Sequence, residues 1–172
     1  IDAGQGFEDR WGRITIHGRF VSETESLHHR LVGSGLARVL PTDANDACQR
    51  SLLLLEKTAR SEKLGIWREP AMRVLAVRET DALKALIGRY ALVEGKVVSV
   101  NARPQSTYVN YGKYFTRDFS ITVSRRQRAV LEKAGISLSA LKDKTVRVRG
   151  IITGRLAPQV DVVSAAQIEI EE

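Results

Sequence analysis

From Tyr90 onward the apolar residues stop recurring at helical spacing and begin to alternate as they do along strands. The run Val146-Arg147-Val148-Arg149-Gly150 shows it most clearly, with valines on one face and arginines on the other. Tyr90–Val100 reads as one long strand with Gly95 as a bend, and Asn101–Thr107 as a turn-rich loop. Tyr108–Asn110 and Phe115–Val123 read as a hairpin around Tyr111-Gly112-Lys113. A helix follows over Arg125–Ala134, closed by Gly135. Val146–Thr153 and Gln159–Val163 are strands around the turn at Gly154–Pro158, and Ile168–Ile170 closes the sheet.

Three strands, one helix and two strands is the order of an OB-fold barrel. This half also carries the charge. Residues 89–172 hold 14 Lys+Arg against 8 Asp+Glu, whereas residues 1–88 hold 13 against 12. A basic half of this kind favours an anionic partner, with nucleic acid the commonest. Its aromatic residues stand beside cations, the chemistry that stacks bases and meets phosphates of a single strand. Tyr108, Tyr111, Tyr114 and Phe115 are the aromatic candidates, of which alternation leaves at most two as stackers. Lys113, Arg117, Arg147, Arg149 and Arg155 are the basic candidates. Arg125, Arg126 and Arg128 open the barrel helix, where positive charge opposes the helix dipole.

Upstream, Ile14, Ile16 and Phe20 alternate with Thr15, His17 and Arg19 as in a strand. Ser22-Glu23-Thr24-Glu25 reads as a capping box for a helix that runs to about Val32, ended by Gly33 or Gly35. A second helix is expected from Asp46 to Lys63, with Leu52, Leu55, Ala59 and Leu64 at helical spacing and Gly65 as its stop. Trp67 reads as a packing residue. Pro70–Gly88 reads as a connector with a short strand at Arg73–Val77 and a helical turn at Thr80–Ile87.

Asp9-Arg10-Trp11-Gly12-Arg13, Gly35-Leu36-Ala37-Arg38-Val39 and Leu64-Gly65-Ile66-Trp67, in that order, resemble the second half of a staphylococcal-nuclease-like (thermonuclease) domain. The resemblance covers residues 7–68. It implies that Arg13 grips the scissile phosphate, where a fork of donors meets two oxygens and steadies the charge that develops. It places Arg10 and Trp11 near the nucleotide. It also implies calcium, and Asp2 falls where a calcium-ligating aspartate stands. In Ile1-Asp2-Ala3-Gly4-Gln5, however, Gly4 replaces the family's proline and Gln5 falls where its general-base glutamate belongs. A glutamine takes no proton from water. Far fewer residues separate Asp2 from Asp9 than in typical members. Leu40 and Pro41 follow the arginine–valine pair, where the family often has nucleotide-packing tyrosines. Residues 90–172 resemble the OB-fold domain that follows such a domain in some bacterial proteins.

Other chemistries find little support. Cys48 is the only cysteine, so no internal disulfide forms. His28 and His29 point about 100° apart on a helix and do not chelate one metal together. No H-E-x-x-H, P-loop or nucleophile elbow is present, and no apolar run reaches a membrane span.

The sequence therefore predicts a mainly β protein with α, built of two OB-fold-like barrel units in tandem. The first is an incomplete nuclease-like barrel with two helices at 1–69, then a connector at 70–89 and an OB-fold-like domain at 90–172. The expected function is binding of nucleic acid, single-stranded favoured, with a degraded catalytic site and calcium unbound. The alternatives are an active calcium-dependent phosphodiesterase whose metal-binding loop is absent from this sequence, and a protein-interaction scaffold. The resemblance implies an exported or periplasmic protein. DNA versus RNA stays open.

Overall fold

The computed structural model describes residues 18, 25–41, 46–154 and 156–171, with the side chains of 46–48 left aside. Arg10, Trp11, Arg13, Asp2 and the strand expected around Ile14–Phe20 lie outside the described residues, apart from Gly18. So do the strands of the expected nuclease-like barrel. The protein is mainly β with α and divides into two compact units: residues 1–39 with 47–72, and residues 40–46 with 73–172.

In the first unit, helix α1 spans Leu27–Gly33 and helix α2 Asp46–Ser61. Helix α1 begins later than the Ser22 capping box implies. Ser26 takes the extended cap conformation and its hydroxyl accepts from the His29 N–H at 3.3 Å. Helix α2 ends at Ser61, short of Lys63, because Lys63 adopts the left-handed conformation at φ 55°. Leu64 N–H then donates back to the Ala59 carbonyl at 2.8 Å.

Gly65 is therefore no simple stop signal. It lies against Gly35, and the Ile66 N–H donates to the Gly35 carbonyl at 2.9 Å. A Cβ on Gly65 would meet that carbonyl oxygen at 2.3 Å, and one on Gly35 would meet the Leu64 oxygen at 2.4 Å. Both glycines have positive φ, so the crossing of the two segments demands glycine twice. Glu56 of α2 is wholly buried, accepts from the Val39 N–H at 2.6 Å and pairs with Arg60 at 3.5 Å. The Arg60 guanidinium lies 5.9 Å from the ring centre of Trp67, which is buried.

The second unit holds an 8-stranded sheet. Its elements are β1 (Leu75–Ala76), α3 (Thr80–Ala85), β2 (Tyr90–Lys96), β3 (Ser99–Ala102), β4 (Ser106–Asn110), β5 (Ser120–Ser124), α4 (Arg125–Lys133), β6 (Thr145–Thr153), β7 (Gln159–Val162) and β8 (Ile168–Glu171). The path β2-β6-β7-β5-β4-β3 closes on itself, because β2 and β3 are consecutive halves of one bent strand. Only β5 and β7 run parallel within that path; the other neighbours are antiparallel. This is the topology of an OB barrel.

The bend does not fall at Gly95. Strand β2 runs through Gly95 to Lys96, and the break is at Val97 and Val98. The Val97 N–H donates to the Lys144 carbonyl at 2.9 Å, and the next N–H, of Val98, donates to Asn110 at 2.8 Å. Consecutive amides thus serve opposite walls of the barrel, which forces the turn. Val93, Val109, Ile121, Val146 and Val160 fill the interior, with Leu131 of α4 wholly buried among the same core. The stretch read as a connector supplies β1, which pairs parallel with β2, and α3, whose Leu83 is wholly buried.

Candidate nucleic-acid interface

On the outer face of β3, β4, β5 and β7 the strand register aligns polar side chains in two rows. Ser99, Asn110, Ser120 and Gln159 form one, and Asn101, Tyr108, Thr122 and Asp161 the other. The residues between them, Val109, Ile121 and Val160, face the core. Asn110 donates its side-chain amide to the Ser99 hydroxyl at 3.2 Å. The first row, with Asn101 and Tyr108 of the second, floors an open groove of about 780 Å³. Its floor is hydrogen-bonding and uncharged over most of its length, which suits the edges of bases or sugars better than a run of phosphates.

One end of the groove is built by the segment between β4 and β5 together with the β6–β7 turn. Lys113, Phe115, Leu156 and Ala157 line it there. Phe115 is 83% exposed and Leu156 71%. The segment holds its shape through Asp118, whose carboxylate accepts from the Tyr114 N–H at 2.9 Å and from Arg117 at 3.2 Å. The Tyr114 amide, and then Arg117, hold that carboxyl below the usual carboxylate range. Gly112 lies under the same carboxylate, and a Cβ there would meet its oxygen at 2.0 Å. Tyr114 is exposed, with the Arg117 guanidinium 4.7 Å from its ring centre. Arg103, on the β3–β4 turn, lines the opposite end.

The sequence candidates separate sharply. Tyr108, Lys113 and Phe115 line the groove, and Tyr114 and Arg117 sit on its rim segment. Tyr111 does not belong with them. It is buried, its ring centre is 5.4 Å from that of Phe119, and its hydroxyl donates to the Val146 carbonyl at 3.4 Å. Burial pushes its pKa well above the ordinary tyrosine value. Arg147 and Arg149 also leave the list of phosphate binders. Arg147 pairs with Glu94, with Glu169 at 2.9 Å and with Glu171 at 2.7 Å; Arg149 is 1% exposed and pairs with Glu169. Burial lowers the Arg147 pKa, and the carboxylates of Glu169 and Glu94 more than reverse it, so the guanidinium is held charged. The alternating Ile168-Glu169-Ile170-Glu171 carried the signal for this neutralisation. Arg155 lies outside the described residues.

Sequence reasoning passed over Asn101, Arg103, Asn110 and Leu156. The first and third had a signal in the polar residues that alternate with Val100 and Val109. Arg103 sat in a stretch read only as a loop. No group of three or more His, Cys, Asp or Glu side chains able to hold a metal occurs among the described residues, and Asp2 lies outside them. No described helix is long and apolar enough to cross a membrane.

Residues 4–69 match the family described as Staphylococcal nuclease homologue. No curated protein matches the chain. Among solved structures it is similar to aspartyl tRNA synthetase from Entamoeba histolytica, at 10% identity and a TM-score of 0.40, over 60% of this chain and 22% of the synthetase. It thus spans about a fifth of that protein. It is similar to the hypothetical protein ygiW from E. coli, at 14% identity and a TM-score of 0.37, over 59% of this chain and 94% of that one. It is also similar to a putative nucleic acid-binding lipoprotein from Klebsiella pneumoniae, at 11% identity and a TM-score of 0.37, over 63% of this chain and 98% of that one.

Proposed function

We propose that the second unit binds single-stranded nucleic acid along the groove. One observation carries this reading: Tyr108 and the 83%-exposed Phe115 line a groove that Lys113 and Arg103 flank at its two ends. An exposed phenylalanine beside a cation suits a ligand with both a flat apolar face and a negative charge. Unpaired bases on a phosphodiester backbone have both, whereas paired bases keep their faces in the stack. The same cations argue against a purely apolar protein-docking patch. A titration of a labelled single strand against a duplex of the same sequence, followed by anisotropy at rising salt, tests it. The single strand should bind more tightly, with log K falling by about 0.7 per phosphate contacted for each decade of salt. No binding at low ionic strength, or binding indifferent to salt, would sink the proposal.

A second reading rests on the family match at residues 4–69, which contains Arg13. If the protein is a calcium-dependent phosphodiesterase, Arg13 stabilises the phosphorane-like charge, and Arg10 and Trp11 position the nucleotide. Arg13→Ala then lowers DNA or RNA cleavage by about a hundredfold or more. Gln5, in place of a general base, supports binding without cutting. Absence of cleavage by the full-length protein, metal-binding loop included, with calcium present would exclude the enzyme.

A further inference from the structure

We infer that the strand held in the groove continues past Arg103 onto an arginine patch at the first turn of α4, so that the footprint is longer than the groove. The inference rests on the nucleic-acid reading above. Helix α4 opens Arg125-Arg126-Gln127-Arg128 with no acidic residue in its first turn. Cations there oppose the helix dipole, so the dipole gives Arg125 and Arg126 no stabilising role. Arg125 and Arg126 are exposed, and neither has an ion-pair partner among the described residues.

The patch is tied to the end of the groove. The Arg125 N–H donates to the Gln105 carbonyl at 2.8 Å and the Arg128 guanidinium to the Pro104 carbonyl at 2.9 Å. Both carbonyls belong to the turn that carries Arg103, so the start of α4, with Arg125 and Arg126, is anchored beside the end of the groove. Arg147 and Arg149, by contrast, are consumed by carboxylates. A patch of guanidinium groups with no aromatic among them contacts backbone phosphates and reads no sequence.

The length dependence of binding tests this in the full chain. Fluorescein-labelled oligothymidines of about 5 and about 15 nucleotides bracket the groove and the extended path, since site sizes run to about 4–16 nucleotides per OB fold. The variant Arg125→Ala/Arg126→Ala should bind the longer strand about tenfold more weakly and lower its salt slope by about 1.4, the value for two lost phosphate contacts. It should bind the shorter strand within about twofold of the parent. Its melting temperature should be no lower than the parent's, because charges unfavourable to the helix have gone. Arg125→Lys/Arg126→Lys should restore the longer strand's affinity. An equal loss for both lengths, or no loss for either, overturns the inference. If the parent protein binds neither oligothymidine, the groove reading itself falls, which is a different result from a parent that binds both and a variant that matches it.

Discussion

Arg147 of β6 stands directly opposite Glu169 of β8 and donates to its carboxylate at 2.9 Å. The same arginine faces Glu94 of β2 in the register of the other neighbouring strand. The pair belongs to stability. Arg147→Ala should lower the unfolding free energy by about 1.5–3 kcal/mol, because Glu94 and Glu171, each about a third exposed, lose this charged partner while Glu169 keeps Arg149. Urea denaturation measures this, and nucleic-acid affinity of the folded fraction should stay as in the parent.

Tyr111 and Tyr108 are three residues apart and should respond oppositely. Tyr111→Phe removes one long hydrogen bond from the core and should cost about 1 kcal/mol of stability or less with no change in binding. Tyr111→Ala leaves a cavity and should cost about 3–5 kcal/mol. Thermal or urea unfolding separates these outcomes from binding.

The Gly35–Gly65 crossing makes a prediction for the first unit. Gly65→Ala puts a Cβ at 2.3 Å from a backbone oxygen in a left-handed conformation. The conformation alone costs about 1–2 kcal/mol, and the clash adds to it. Native-state hydrogen exchange should show protection lost in α1 and α2 while β2 and β6 keep theirs.

Acid stability should depend on Glu79. Arg73 hydrogen-bonds its carboxylate, the Ala76 N–H does so at 2.8 Å, and together they lower its pKa from 4.5 to about 2. A depressed carboxylate pKa means that the unfolded chain binds more protons between those values. The contribution is complete above about pH 4.5 and is lost as pH falls toward 2. Because the pair is exposed, salt should shrink the effect. Glu79→Gln should flatten the acid limb of a melting temperature against pH curve, and an unchanged limb would contradict the assignment.

The barrel was legible because its strands alternate strictly and its helix is punctuated by Gly135. The bounds of β6, β7 and α4 follow from that pattern to within a residue or so. What alternation gives is the face of a residue, never its partner. The outward face of β6 was read as a cationic surface, yet β8 lays Glu169 and Glu171 across it. That depends on a pairing remote in sequence. Tyr111 sits just past β4, where the two-residue period stops, and its turn directs it inward against Phe119. Glu56 was passed over for the same reason: a lone carboxylate in an amphipathic helix looks solvated until the Val39 amide is seen upon it.

The most direct test of the groove is the affinity of Tyr108→Ala/Phe115→Ala for a labelled single strand of about 15 nucleotides. Each exposed aromatic that stacks a base contributes about 1–3 kcal/mol, so each loss weakens binding by about fivefold to more than a hundredfold. Both side chains are exposed, and the folded state should survive their removal. A folded double variant with affinity lower by at least about tenfold is the predicted result. A folded double variant that binds as tightly as the parent would place the nucleic acid elsewhere and contradict the account.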